Sequence, residues 1–202
     1  MDNYVITIAR GFGSGGRTIG KMLSESLGIP YYDKELIKLA SEESGINEAL
    51  FGKADEKVRS GIFGKPKKYS GELAKPDSSE FVSEENLFGF QAEIIKNLAD
   101  KGSCIIIGRC ADFVLKDRKD VIKVFIWADM PTCIVNAKNV CGMSEREAEK
   151  QIERTDKARS AYYKAHTGKD WDDVRNYDLC LNTSRLSFEK CVEIIKNYIG
   201  IM

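Results

Sequence analysis

The sequence predicts an α/β protein, a parallel sheet of five short strands covered on both faces by helices. Three observations carry this. Short, mostly apolar runs recur at Tyr4–Ala9, Tyr31–Asp33, Cys104–Ile107, Ile122–Trp127 and Tyr177–Leu181. The first, third and fourth have the profile of strands buried on both faces. Helical periodicity fills the intervals, and strands alternating with helices build a parallel sheet. Finally, a glycine cluster follows the first strand directly and leads into a helix.

Each element has its own signal. After the glycines, Ile19, Met22, Leu23, Ser26 and Leu27 recur at three-to-four spacing, so Thr18–Leu27 reads as a helix ended by Gly28 and Pro30. Lys34–Ser44 reads as a second helix. From Gly52 to Ser83 the character changes: Gly61, Gly64, Pro66, Gly71 and Pro76 alternate with lysines, the composition of an insert or mobile loop. Helical structure resumes at Glu84–Lys101, where Leu87, Phe90, Gln91, Ile94, Ile95 and Leu98 share a face. Ser144 and Glu147 have capping-box spacing and open a long, highly charged helix. Phe188, Cys191, Val192, Ile195, Tyr198 and Ile199 mark the face of a closing helix.

Bulk properties suit one domain with a small insert: 202 residues, 43% hydrophobic and 31% charged. Basic and acidic residues each total 31, so the net charge is zero. A nucleic-acid-binding module needs a clustered positive excess, so no nucleic-acid partner is expected; a local basic cleft for a small polyphosphate is compatible. Cysteines 104, 110, 133, 141, 180 and 191 show no C-x-x-C spacing, and His166 is the one histidine, so no zinc site is expected. Free thiols serving as small core residues in a reducing compartment are the expectation. The first ten residues lack the basic start of a signal peptide, and no apolar run reaches the ~18 residues that span a membrane. A cytoplasmic protein is expected.

Gly11-Phe12-Gly13-Ser14-Gly15-Gly16-Arg17-Thr18 fits the phosphate-binding pattern G-x-x-x-x-G-K-[ST], with arginine in the lysine place. Glycines let the loop curl so that backbone N–H groups face phosphate oxygens, and the following helix adds its positive end. Arg17 then delivers charge to the β/γ-phosphates of ATP, and the Thr18 hydroxyl is placed to ligate Mg²⁺. Arginine does the charge work with a longer, planar fork, so binding is better supported than catalysis. Gly11-x-Gly13-x-x-Gly16 also matches a dinucleotide fingerprint with Asp33 as its acidic partner, and the motif alone leaves that reading open.

The rest of the chain decides. YVITIARGFGSGGRTIGKMLSESLGIPYYD, CIIIGRCADFVL, RTDKARSAYY and YDLCLNTSRLSFEKCVEII together resemble the cytidylate kinases, most closely their divergent cytidylate-kinase-like branch. The likeness covers nearly the whole chain and is weakest over 52–83. It implies a three-layer P-loop kinase fold in one domain, with core 1–45, 102–142 and 176–202, an acceptor-binding insert at about 46–101 and a helical lid at about 143–175. It further implies an ATP-dependent phosphotransferase acting on a small-molecule nucleotide, CMP or dCMP first.

Residue by residue, the resemblance puts Arg109 on the acceptor phosphate, directly after the third strand; the alternative is a surface salt bridge. Arg154 and Arg159, with Asp156 and Lys157 between them, match the lid segment, against the alternative of a solvated charged face. Asp33 is assigned to the acceptor or to a Mg²⁺-bound water, against a helix cap. Gln91 and Asp156 are counted with the acceptor-binding residues. Asn182, with Thr183 and Ser184, stands where this architecture packs adenine, and a plain turn fits equally well. His166 is read as a surface-turn residue, Trp127 and Trp171 as packing, and Tyr162 and Tyr163 as lid packing with one hydroxyl in reach of a phosphate.

Three departures from the family pattern matter: Arg17 for lysine, Lys34-Glu35-Leu36 in place of a small-residue acceptor motif, and Ile107 and Cys110 where acids flank the Gly-Arg pair. The last bears on base specificity more than on phosphoryl transfer. The competing functions are a kinase for another small metabolite, or a regulatory protein that binds nucleotide with little turnover. A nicotinamide-dependent oxidoreductase stands behind both.

Overall fold

A computed structural model describes residues 3–51 and 71–201. Five parallel strands form one sheet, β1 (Val5–Arg10), β2 (Tyr31–Tyr32), β3 (Cys104–Ile107), β4 (Val121–Trp127) and β5 (Leu179–Asn182). Their spatial order is β2-β3-β1-β4-β5. β1 is central: Ile6 pairs with Ile105 of β3 on one side and Ile122 of β4 on the other.

The continuous apolar runs are explained by two cores, one on each face. Ile6, Ile8, Ile105, Ile107, Ile122 and Val124 point toward α1 (Gly16–Leu27) and α7 (Phe188–Ile201), meeting Ile19, Leu23, Cys191 and Ile195. Val5, Cys104, Ile106 and Val121 face the other way, toward Leu36 and Ala40 of α2 (Glu35–Ser44) and Leu87, Ile95 and Leu98 of α3 (Glu84–Lys101). This is the alternation of a pleated strand buried on both sides. The structure is therefore the three-layer α/β fold that the sequence predicts.

The remaining helices frame the carboxyl edge of the sheet. They are α4 (Ala111–Val114), α5 (Met130–Cys141) and α6 (Glu145–Thr167), followed by a 3₁₀ turn at Val174–Asn176. α6 starts on a complete capping box: Ser144 accepts the Glu147 N–H while Glu147 accepts the Ser144 N–H.

Several expectations need adjustment. β1 runs one residue further, so Arg10 belongs to the strand, and β5 is shifted to Leu179–Asn182. Of the expected loop 52–83, residues 52–70 lie outside the described residues. The described remainder is strapped to α3, because Asn86 accepts the Ala74 N–H (2.7 Å) and donates to the Phe81 carbonyl (2.7 Å). His166 is a buried residue of α6 and not a surface-turn residue: its ring stacks on Phe88 at 4.2 Å, 8° from parallel. Helical phase explains the correction, since α6 continues one residue past His166. Trp127 is 41% exposed, while Trp171 packs edge-on against Phe125. All six cysteines are free, four buried and two, Cys141 and Cys180, exposed. Among the described residues no helix is long and apolar enough to cross a membrane.

Candidate functional site

The glycine loop follows from close approach. Gly13 and Gly15 have φ of 79° and 82°, the left-handed region that glycine enters without strain. A Cβ at Gly13 would overlap the Cys133 carbonyl, and one at Gly15 would overlap the Phe188 ring. The loop is clamped from behind: Asn136 donates to the Gly13 carbonyl (2.7 Å), Thr183 to the Ser14 carbonyl (2.9 Å) and Ser14 to the Gly11 carbonyl (2.9 Å). α1 then begins at Gly16 with no acidic residue in its first turn, so its positive end is not neutralised. Such a helix start receives an anion.

Beside the loop lies a cleft of about 460 Å³, at the carboxyl ends of β1 and β3. An open parallel sheet binds its ligands at this edge. Its wall is cationic, with Arg10, Arg17, Lys34, Arg109 and Arg159 against Asp33, Glu48 and Asp112. Asp33 gathers two of the guanidiniums: Arg17 Nε lies 2.7 Å from Oδ2, and Arg10 Nη2 lies 3.6 Å from Oδ1. Arg159 donates to the Arg10 carbonyl (2.9 Å) and to Asp156 (2.9 Å). Asp156 in turn accepts the Phe12 N–H at 2.9 Å, tying α6 to the glycine loop. Burial pushes the Arg10 pKa down to about 9, helped by repulsion from Arg159. Arg159 is lowered for the same leading reason, and burial raises Asp156.

Arg109 reaches the cleft through an unusual turn. Gly108, Arg109 and Cys110 all have left-handed φ, 68°, 57° and 54°. Non-glycine residues enter this region only where the surroundings hold them there, and such strain concentrates at functional sites. The far end of the cleft is aromatic, lined by Tyr162, Tyr163 and Trp171. Tyr163 donates a 2.6 Å bond to buried Asp112, whose carboxyl is raised by burial.

The profile of the cytidylate kinase-like family matches residues 5–185. The chain belongs to the cytidylate kinase-like family. It is 28% identical over 204 residues to a cytidylate kinase of Methanopyrus kandleri, covering 96% of this chain and 92% of that one. A cytidylate kinase of Pyrococcus horikoshii is also 28% identical, over 200 residues. Among solved structures, an uncharacterized protein from Eubacterium ventriosum superposes with a TM-score of 0.72 at 26% identity, covering 98% of both chains. A shikimate kinase from Bacteroides thetaiotaomicron shares the fold, with a TM-score of 0.54 at 13% identity and 98% coverage. The shikimate kinase shows likeness of fold alone, and the dinucleotide reading of the glycine motif falls with the family assignment.

Within this member of the cytidylate kinase-like family, the expected site residues take up several distinct places. Arg17, Asp33, Arg109 and Arg159 line the cleft together, and Gly11 to Gly16 with Phe12 and Ser14 form the loop beside it. Thr18 is exposed on the first turn of α1. Asp156 lies at the joint between loop and α6. Three others do not join the cleft lining. Arg154 is exposed on α6, about 140° round the helix from Arg159 at 3.6 residues per turn. Gln91 is buried inside α3 with its Oε1 unpartnered. Asn182 closes a turn on the far side of the loop, where its carbonyl oxygen Oδ1 accepts the Ser184 N–H at 2.9 Å.

Arg10 and Asp112 are absent from the expected site residues, and Tyr163, expected with Tyr162 as lid packing with one hydroxyl in reach of a phosphate, instead donates its hydroxyl to Asp112. A charge at the carboxyl end of a buried strand was an available signal for Arg10. Thr155, Ala158, Arg159, Tyr162 and Tyr163 form one stripe of α6 at three-to-four spacing, and that stripe faces the cleft. The same stripe could have separated Arg159 from Arg154.

Proposed function

We propose that this protein transfers the γ-phosphoryl of Mg-ATP to the phosphate of a nucleoside monophosphate, with CMP or dCMP the first acceptor to test. The observation that carries the reading is a guanidinium-lined cleft opening directly beside a clamped glycine loop. The loop and the positive end of α1 hold the polyphosphate, and Arg17 adds charge at its β/γ end. Transfer breaks the bond between the γ-phosphorus and the β-bridging oxygen, forms one to an acceptor phosphate oxygen, and releases ADP. A phosphate acceptor needs no strong base, so positioning and charge neutralisation dominate. Arg109 from the turn after β3 and Arg159 from α6 serve that purpose. Tyr162 and Trp171 supply flat apolar surface suited to a nucleobase.

Magnesium fits the residues present. Thr18 offers one exposed hydroxyl beside the loop, and no group of three or more His, Cys, Asp or Glu able to hold a metal occurs among the described residues. That suits an ion held mainly by phosphates and water, as Mg²⁺ usually is. Bound there, it would neutralise charge on the β- and γ-phosphates.

The test is ADP release from Mg-ATP with CMP, dCMP, UMP, AMP, GMP or no acceptor. Acceptor-dependent turnover well above the no-acceptor rate is expected. Uniform background with every nucleotide refutes the reading. A second reading, a nucleotide-binding regulator with little turnover, is favoured by the pairing of Arg17 with Asp33, which draws the loop cation toward the acceptor side. Arg17→Lys separates the two: a rise from trace activity marks a weakened kinase.

A further inference from the structure

Arg10 ends the central strand with five buried residues behind it, and its side chain is 13% exposed. A guanidinium in that position requires partners for its donors. It has few. Its Nε is buried and unpartnered, and its one ion pair among the described residues, with Asp33, is long at 3.6 Å. Asp33 is also shared with Arg17, which holds it more closely at 2.7 Å. Arg159 approaches the Arg10 backbone and takes Asp156 for itself. The cleft wall thus carries five cationic side chains against three carboxyls.

The backbone makes room for this arrangement. The Arg10 guanidinium lies over Gly108, where a Cβ would overlap Nη1. Gly108 is also the first residue of the left-handed turn that presents Arg109. One strained turn therefore seats Arg10 and delivers Arg109 to the same cleft. A structural arginine would be matched by carboxylates; this one is crowded by its own kind and faces an opening.

We infer that Arg10 is a substrate-binding residue: with Arg109 and Arg159 it forms a second anion site, separate from the glycine loop, that grips the dianionic group of the acceptor. This rests on the phosphotransferase reading for the identity of the acceptor, but the anion site itself can be measured without turnover. The planar fork of Arg10 offers two N–H donors to two oxygens of one phosphate, a geometry lysine cannot reproduce.

The experiment uses the full chain as wild type, Arg10→Met and Arg10→Lys, with inorganic phosphate as the probe. Binding is read by calorimetry and by thermal shift at constant ionic strength. Wild type is expected to bind phosphate, Arg10→Met to lose that binding, and Arg10→Lys to weaken it at least tenfold. In steady state the KM for the nucleoside monophosphate is expected to rise tenfold or more in Arg10→Lys, with the KM for ATP changed less than twofold. Phosphate affinity within twofold of wild type in Arg10→Lys, or equal rises in both KM values, overturns the inference. So does wild-type protein that binds no phosphate. Should Arg10→Met not fold, the Arg10→Lys comparison decides alone. Phosphate binding that depends on Arg10, together with no transfer to any nucleotide, refutes the functional reading and leaves the anion site standing.

Discussion

Arginine at position 17 behaves differently from the lysine that the phosphate-loop pattern names. Its fork reaches across to Asp33, with Nε 2.7 Å from one carboxylate oxygen and Nη2 3.4 Å from the other, while its side chain stays 49% exposed. The exposure leaves it able to swing toward a polyphosphate, because a half-solvated pair is weakly held. Arg17→Ala is expected to lower kcat/KM for ATP by roughly 10²–10³, the usual effect of removing one charge-stabilising donor. Initial-rate kinetics at saturating acceptor would measure it. Gly13 is constrained more severely. With φ of 79° and a backbone carbonyl where its Cβ would go, Gly13→Ala has no side chain to push aside. It is expected to lose about 2 kcal/mol of stability from strain alone, and nucleotide binding with it. Urea denaturation checks the first part and ATP titration the second.

At the scale of elements, α6 carries the most consequence. One stripe of it lines the cleft, and Phe12 and Arg10 are fastened to it through Asp156 and Arg159. Its last turn is anchored by His166, stacked on Phe88 and against Tyr162. Burial pushes the His166 pKa from 6.5 down to about 4. The unfolded chain therefore takes up a proton near pH 6.5 while the folded protein resists until about pH 4. Stability falls as pH drops through that window, by about 3 kcal/mol at its acid end. His166→Gln is expected to flatten this acid slope, seen as a smaller difference in urea midpoint between pH 7 and 4.5. An unchanged difference would show that the histidine is already charged when folded.

For the whole molecule, the cleft joins segments distant in sequence: β1 with its loop, the end of β2 with α2 and Glu48, the turn after β3, and α6 with Trp171 beyond it. A ligand that bridges them binds only the folded state and raises its melting temperature by mass action. At a hundred times its Kd, Mg-ATP is expected to add about 2.7 kcal/mol, or roughly 5–10 °C for a chain of this size. Thermal denaturation with and without Mg-ATP measures it, with NAD as the control expected to do nothing. A shift with NAD and none with ATP would reopen the dinucleotide reading.

Local patterns carried most of what could be read from residues alone. Val5 to Ile8, Cys104 to Ile107 and Ile122 to Ile126 announce buried strands because burial on both faces leaves few polar positions, here only Thr7 and Lys123. Gly11 to Thr18 announces a phosphate loop because φ, chain reversal and helix start are all local matters. Full-length resemblance supplied the family. Only the tertiary structure decided which charges meet. Arg10 and Arg159, 149 residues apart, share a hydrogen bond, while Arg154, five residues from Arg159, faces solvent. Asp112 met Tyr163 and His166 met Phe88 for the same reason. Composition along a chain records how many charges and rings there are. Helical phase, the left-handed turn at Gly108 and the packing of α6 over the sheet edge determine which of them occupy one low-dielectric cleft.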